Sequence, residues 1–120
     1  MTKTESPDTC AGKCPGLSMA EGLGDEFQKI ICRYHTHIWA GGGVIPLKYK
    51  CLMALATAVT GRETQRALLE VNKALAHGAT REEIQETLQM CVWLGGSPLI
   101  VQVVGPVLRF VEKRLAAQPV

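Results

Sequence analysis

The sequence predicts an all-α fold, an antiparallel helical bundle of about five helices. Three observations carry that expectation. From Lys48 to Leu99 the apolar residues recur at helical spacing in three consecutive segments. Gly61, Gly78 and Gly95-Gly96 follow those segments, each where a left-handed residue would close a helix. Thr80 to Glu83 spells a Thr-x-x-Glu capping box, in which each side chain satisfies a backbone N–H left open at a helix start.

At 120 residues the chain has the length of one domain, and an oligomer would help to bury its apolar excess. Hydrophobic residues make up 47% against 20% charged, with two each of Phe, Tyr and Trp, a mixture suited to helices packed through Ala, Leu and Val. A net charge of +2 without a Lys/Arg cluster argues against nucleic acid as a partner. The N-terminus lacks the apolar core of a secretory signal, and no apolar run reaches the roughly 18 residues that span a bilayer. The expectation is a cytoplasmic protein without membrane contact. Five cysteines in such a chain read as thiols or redox groups rather than a secreted disulfide scaffold.

Residues 1–24 lack periodicity over their first half and are rich in Thr, Ser, Pro and Gly, so they read as a flexible arm preceding a single helical domain over 25–120. Cys10 and Cys14 lie on it in Cys-Ala-Gly-Lys-Cys-Pro, a spacing that misses the Cys-x-x-Cys of redox dithiols and zinc knuckles. Two readings stay open. They are unrelated thiols on a tail, or a redox pair that Lys13 favours as thiolate and that a Gly- and Pro-containing loop can close into a labile disulfide.

The first helix is expected from Asp25 to the glycines at 41–43, with Phe27, Ile30, Ile31, Tyr34 and Ile38 at helical spacing on one face. Cys32, His35 and His37 invite a metal reading. However, residues two apart on a helix point about 200° away from each other, so His35 and His37 cannot share an ion, and no metal or other cofactor is assigned.

Pro46 suits the opening of a second helix reaching about Thr60, nearly all apolar and therefore central, with Cys51 as core residue or functional thiol. The third helix, about 62–77, buries Ala67, Leu68, Val71, Ala74 and Leu75. Glu63, Arg66 and Glu70 form a second stripe beside that face, read either as a solvated or interface salt-bridge row or as a site. His77 is expected to interact with the helix dipole. The fourth helix, 80–94, turns Ile84, Leu88 and Cys91 inward. A fifth reaches about Ala117, kinked at Gly105-Pro106 because Pro106 cannot donate to the carbonyl of Gln102.

Several pieces of this pattern resemble the carboxymuconolactone decarboxylase and alkylhydroperoxidase D family. They are Lys-x-Lys-x-Leu-x-Ala-Leu-Ala at Lys48–Ala56, Gly-Arg-Glu at Gly61–Glu63, Lys-Ala-Leu-Ala-x-Gly-Ala-Thr-x-Glu-Glu-Ile at Lys73–Ile84, and Leu-Gly-Gly-Ser-Pro at Leu94–Pro98. The resemblance places the family core at about 46–100 and implies a trimer or hexamer. In the peroxidase branch it puts the Cys-x-x-Cys-x-x-x-His relay at Glu63, Arg66 and Glu70, and the activating glutamate at Cys51. None of these is retained, so the thiol relay of that branch cannot run on this helix. The decarboxylase branch resembles this chain in having Gly-Arg-Glu at the helix start, though it too usually keeps the histidine that Glu70 replaces. What the resemblance implies is a small-molecule enzyme of redox or decarboxylase type, with Glu63, Arg66, Glu70 and Cys51 as candidate catalytic residues and Cys10 and Cys14 as redox candidates. The competing expectation is a non-catalytic oligomeric binding or assembly protein that kept the fold.

Overall fold

The computed structural model describes residues 22–40 and 43–117. It is all-α, with five α-helices, one π-helical turn and no strand among the described residues. The chain divides into two compact units, 1–43 and 44–120, each taken by itself below.

The first unit contributes α1, Asp25–Trp39. Asp25 and Glu26 place negative charge at its positive end, and the Ala40 N–H closes its last turn onto the carbonyl of Thr36. Its apolar face is not the covered one. Phe27, Ile30, Tyr34 and Ile38 are all exposed, and the buried residues are Gln28 and Cys32, one turn apart, with Gln28 Nε2 donating to Cys32 Sγ at 3.7 Å. Helical spacing fixes which residues share a face and leaves open whether this chain covers that face.

The second unit is built around α2, Leu47–Thr60, which packs against both α3, Thr64–Ala76, and α4, Arg81–Gly95. Its buried residues, Cys51, Leu52, Leu55, Ala58 and Val59, spread round the helix as its nearly unbroken apolar sequence requires. Ala67, Val71 and Ala74 of α3 and Ile84, Leu88 and Cys91 of α4 complete the packing with Leu99, Val103, Val107 and Val111 from the end of the chain.

Three residues connect α2 to α3 and make them an antiparallel hairpin. Here the glycine expectation is corrected. Gly61 has φ −82°, and Arg62 is the left-handed residue at φ 61°. Arg62 N–H bonds to the carbonyl of Val59 at 3.0 Å and Glu63 N–H to that of Ala58 at 2.9 Å, the two closures of a Schellman motif. A Cβ at Gly61 would lie 3.2 Å from the Thr57 carbonyl oxygen, a tight approach that glycine avoids. The end of α3 follows the expected pattern. Gly78, at φ 94°, takes the left-handed position, and Ala79 N–H closes onto the carbonyl of Ala74.

The capping box at α4 forms in full. Glu83 N–H donates to Thr80 Oγ1 at 3.0 Å, and Thr80 N–H to Glu83 Oε1 at 2.9 Å. The other oxygen of Glu83 accepts Lys48 Nζ at 3.0 Å, so one carboxylate ties the first turn of α4 to the first turn of α2. Beyond α4 the kink expected at Pro106 is a shift of the hydrogen-bond ladder. Ile100–Val104 form a π-helical turn in which Gly105 N–H reaches back five residues to Ile100, and α5, Gly105–Ala117, then resumes. A wider turn is one way to accommodate a proline that lacks the N–H which Gln102 would otherwise accept. Arg81 Nε bonds to Glu112 Oε2 at 2.7 Å and links α4 to α5. Among the described residues no helix is long and apolar enough to cross a membrane.

Candidate functional site

The hairpin carries a cleft of about 210 Å³ lined by Ala54, Thr57 and Ala58 of α2 and by Glu63 and Arg66 at the start of α3. Its α2 wall is apolar apart from Thr57, whose hydroxyl donates to the Met53 carbonyl at 3.0 Å. The opposite wall is ionic and bears one carboxylate and one guanidinium.

Arg66 is held from behind. Its Nε donates to Glu70 Oε2 at 2.7 Å, and Glu70 is only 2% exposed while the arginine is 57% exposed. Lys73 Nζ stands 3.4 Å from the other oxygen, Oε1, which accepts no hydrogen bond. A buried carboxylate is costly unless cations face it, and here two flank it on its own helix at i−4 and i+3. The bond to Glu70 uses Nε, one of the five N–H donors of the guanidinium.

Arg66 and Glu70 pair along the stripe, and of its expected forms only the solvated one fails at Glu70, which belongs to the packed face of α3. The signal was present in the spacing. Ala67, Glu70, Val71 and Ala74 fall at i, i+3, i+4 and i+7, the buried series of a helix. Glu63 and Arg66, at its edge, are the exposed members.

Cys51 does not line the cleft. It is 1% exposed, and its Sγ lies 3.7 Å from Nδ1 of His77, the last residue before Gly78. That nitrogen is also 2.8 Å from the Lys73 carbonyl. A carbonyl only accepts, so Nδ1 carries its proton there and offers no lone pair to a thiol. Burial pushes the Cys51 pKa up, Lys73 pulls against it, and Glu70 adds to the rise. His77 therefore does more than face the helix dipole, yet it does not activate Cys51. Cys91 is also buried and also shifted upward by burial, and its Sγ contacts the Ala56 carbonyl at 3.8 Å. Neither Cys51 nor Cys91 is in a disulfide. Cys10 and Cys14 lie outside the described residues. Among those described, no group of three or more His, Cys, Asp or Glu side chains could hold a metal ion.

Fold and site define an all-α protein whose central helical hairpin presents an ionic wall to a small cleft. The chain belongs to the carboxymuconolactone decarboxylase family, whose model matches residues 25–108. No match was found among curated proteins or among solved structures.

Proposed function

We propose that this protein is a small-molecule enzyme of the decarboxylase type, acting on the carbon next to a carboxylate, with the cleft as its active site. The observation that carries this reading is the pairing of Arg66 with the buried Glu70, which presents a fixed guanidinium beside a second carboxylate, Glu63. The Nη groups of Arg66 take a substrate carboxylate in bidentate fashion. The methyl groups of Ala54 and Ala58 accommodate its carbon skeleton, and the cleft volume limits it to a small acid. Glu63 is the acid–base group. In a proton exchange it takes a proton from carbon and returns one. In a decarboxylation the electron pair of the breaking C–C bond stays on the substrate carbon, which takes its proton from Glu63 as carbon dioxide leaves.

Among the described thiols, the chemistry of Cys51 argues against the redox alternative, because it is buried, raised in pKa and without a base. The test is a panel of small mono- and dicarboxylic acids incubated with protein in deuterated buffer and followed by proton NMR. Deuterium incorporation or carbon dioxide release that disappears in both Arg66→Gln and Glu63→Gln supports the proposal. Turnover that survives either change refutes the assignment.

A second reading concerns assembly and is compatible with the first. Met90, Trp93 and Leu94 recur at i, i+3 and i+4 at the end of α4, and Ile100 and Val101 follow in the π turn, all exposed, with Trp93 and Val101 at 82%. Apolar side chains of this size favour self-association into the trimer or hexamer expected from the resemblance. A protein that assembles and never binds an acid would be the non-catalytic alternative.

A further inference from the structure

We propose that Arg62 and Gln102 form a positioning clamp that fixes the ionic wall of the cleft, an inference that rests on the cleft being the active site. Arg62 is, among the described residues, the sole non-glycine with positive φ. A left-handed backbone is unfavourable for an L-residue with a Cβ, and such a position persists where the surroundings hold it in place. At the matched position after α3 the chain uses a glycine, Gly78, so an unstrained solution to the same turn exists within the same fold.

What the strained residue gains is a long-range contact. Arg62 Nε donates to Gln102 Oε1 at 2.8 Å, across 40 residues of sequence. A longer contact joins its Nη1 to the Thr60 carbonyl at 3.5 Å. Gln102 occupies the centre of the π-helical turn, where the ladder shifts ahead of Pro106. A glycine at 62 would relieve the backbone and lose this tie.

The tie bears on the cleft through covalent neighbours. Glu63 follows Arg62 directly, its side chain lines the cleft, and its N–H closes onto the carbonyl of Ala58, a residue of the opposite wall. Gly61 N–H closes onto Thr57, another residue of that wall. The turn that Arg62 completes therefore sets the separation between Glu63 and the α2 wall. The π turn serves as its anchor, and neither Arg62 nor Gln102 has to touch a substrate. They are positioning residues.

The two Schellman closures provide an internal control. Amide hydrogen exchange of the full-length protein reads the Glu63 N–H at the clamped turn and the Ala79 N–H at the glycine turn. Gln102→Leu removes the acceptor and leaves the backbone alone; Gln102→Glu keeps an acceptor; Arg62→Gly removes both strain and clamp. The expected result is about tenfold faster exchange at Glu63 in Gln102→Leu, a smaller increase in Arg62→Gly because relief of the left-handed backbone offsets the lost bond, unchanged exchange at Ala79, and near wild-type protection in Gln102→Glu. Succinate affinity, read by NMR titration, falls about tenfold in Gln102→Leu and stays near wild type in Gln102→Glu. Exchange at Glu63 that is unchanged in Gln102→Leu, or that rises equally at Ala79, overturns the clamp. If the wild-type protein does not bind succinate, the exchange readout still decides the clamp, while the acid panel decides the function of the cleft.

Discussion

Replacing Arg66 by Met tests whether the ionic wall is built as described. The change keeps the aliphatic stem and removes the 2.7 Å bond from Nε to a carboxylate that is 2% exposed. Removing one partner of a buried pair typically costs about 3–5 kcal/mol, since the remaining charge is stranded. Two features lower that figure here. Lys73 stays 3.4 Å from Oε1, and the Arg66 head was largely hydrated to begin with. What remains is the loss of one charge-assisted hydrogen bond to a buried acceptor, about 2 kcal/mol. Glu70→Met acts in the other direction, because it removes the buried charge, including an Oε1 that accepts no hydrogen bond, and fills the space with an apolar chain. Its stability is expected within about 1 kcal/mol of wild type, and the double variant should match it. Urea unfolding by circular dichroism, at fixed protomer concentration, supplies the double-mutant cycle. An Arg66→Met variant less than about 0.5 kcal/mol below wild type, or a double variant that shows the plain sum of the singles, refutes the reasoning.

Four further outcomes follow from other parts of the molecule. Thr80→Ala removes the side-chain half of the capping box and should destabilise the fold by about 1 kcal/mol in the same urea assay. The Thr80 N–H, and then Lys48, hold Glu83 below the usual glutamate pKa. Its contribution is therefore present above the ordinary glutamate value and lost as pH falls through the lowered one, so acid unfolding of Lys48→Met should show a shallower limb there. Cys51 and Cys91, buried and raised in pKa, should react with iodoacetamide at pH 8 at least about tenfold more slowly than in urea, as mass spectrometry of the labelled peptides will report. Light scattering at micromolar concentration should give a multiple of the chain mass, lowered by Trp93→Glu, and a monomer mass for the unaltered protein would contradict the association proposal.

The elements that sequence reasoning located were those with local causes. A capping box is a contact between residues three apart, so Thr80 and Glu83 announce the start of α4 whatever surrounds it. Gly78 closes α3 for the same kind of reason. At Gly61 the local signal misled by one position, because the register of the closure depends on where the α2 ladder ends, and there a tertiary bond from Arg62 to Gln102 accompanies a backbone that glycine would adopt more readily. The exposed stripe of α1 marks a different limit, since periodicity identifies a face without saying what covers it. Glu70 was legible in part. Its place in the series with Ala67, Val71 and Ala74 marked burial, but its charge directed the reading to solvent. His77 and Lys73 became neighbours of Cys51 only through the packing of α3 on α2, a relation that no local pattern carries.

The proposed function requires a small carboxylate to bind between α2 and the start of α3, held by Arg66. Titration of isotope-labelled protein with small mono- and dicarboxylic acids, followed by two-dimensional NMR, tests this most directly. Saturable shifts are expected at Thr57, Ala58, Glu63 and Arg66, with the Arg66 Nε–H signal among them, and are lost in Arg66→Gln. Saturable shifts that map elsewhere on the chain, or that persist unchanged in Arg66→Gln, would contradict it.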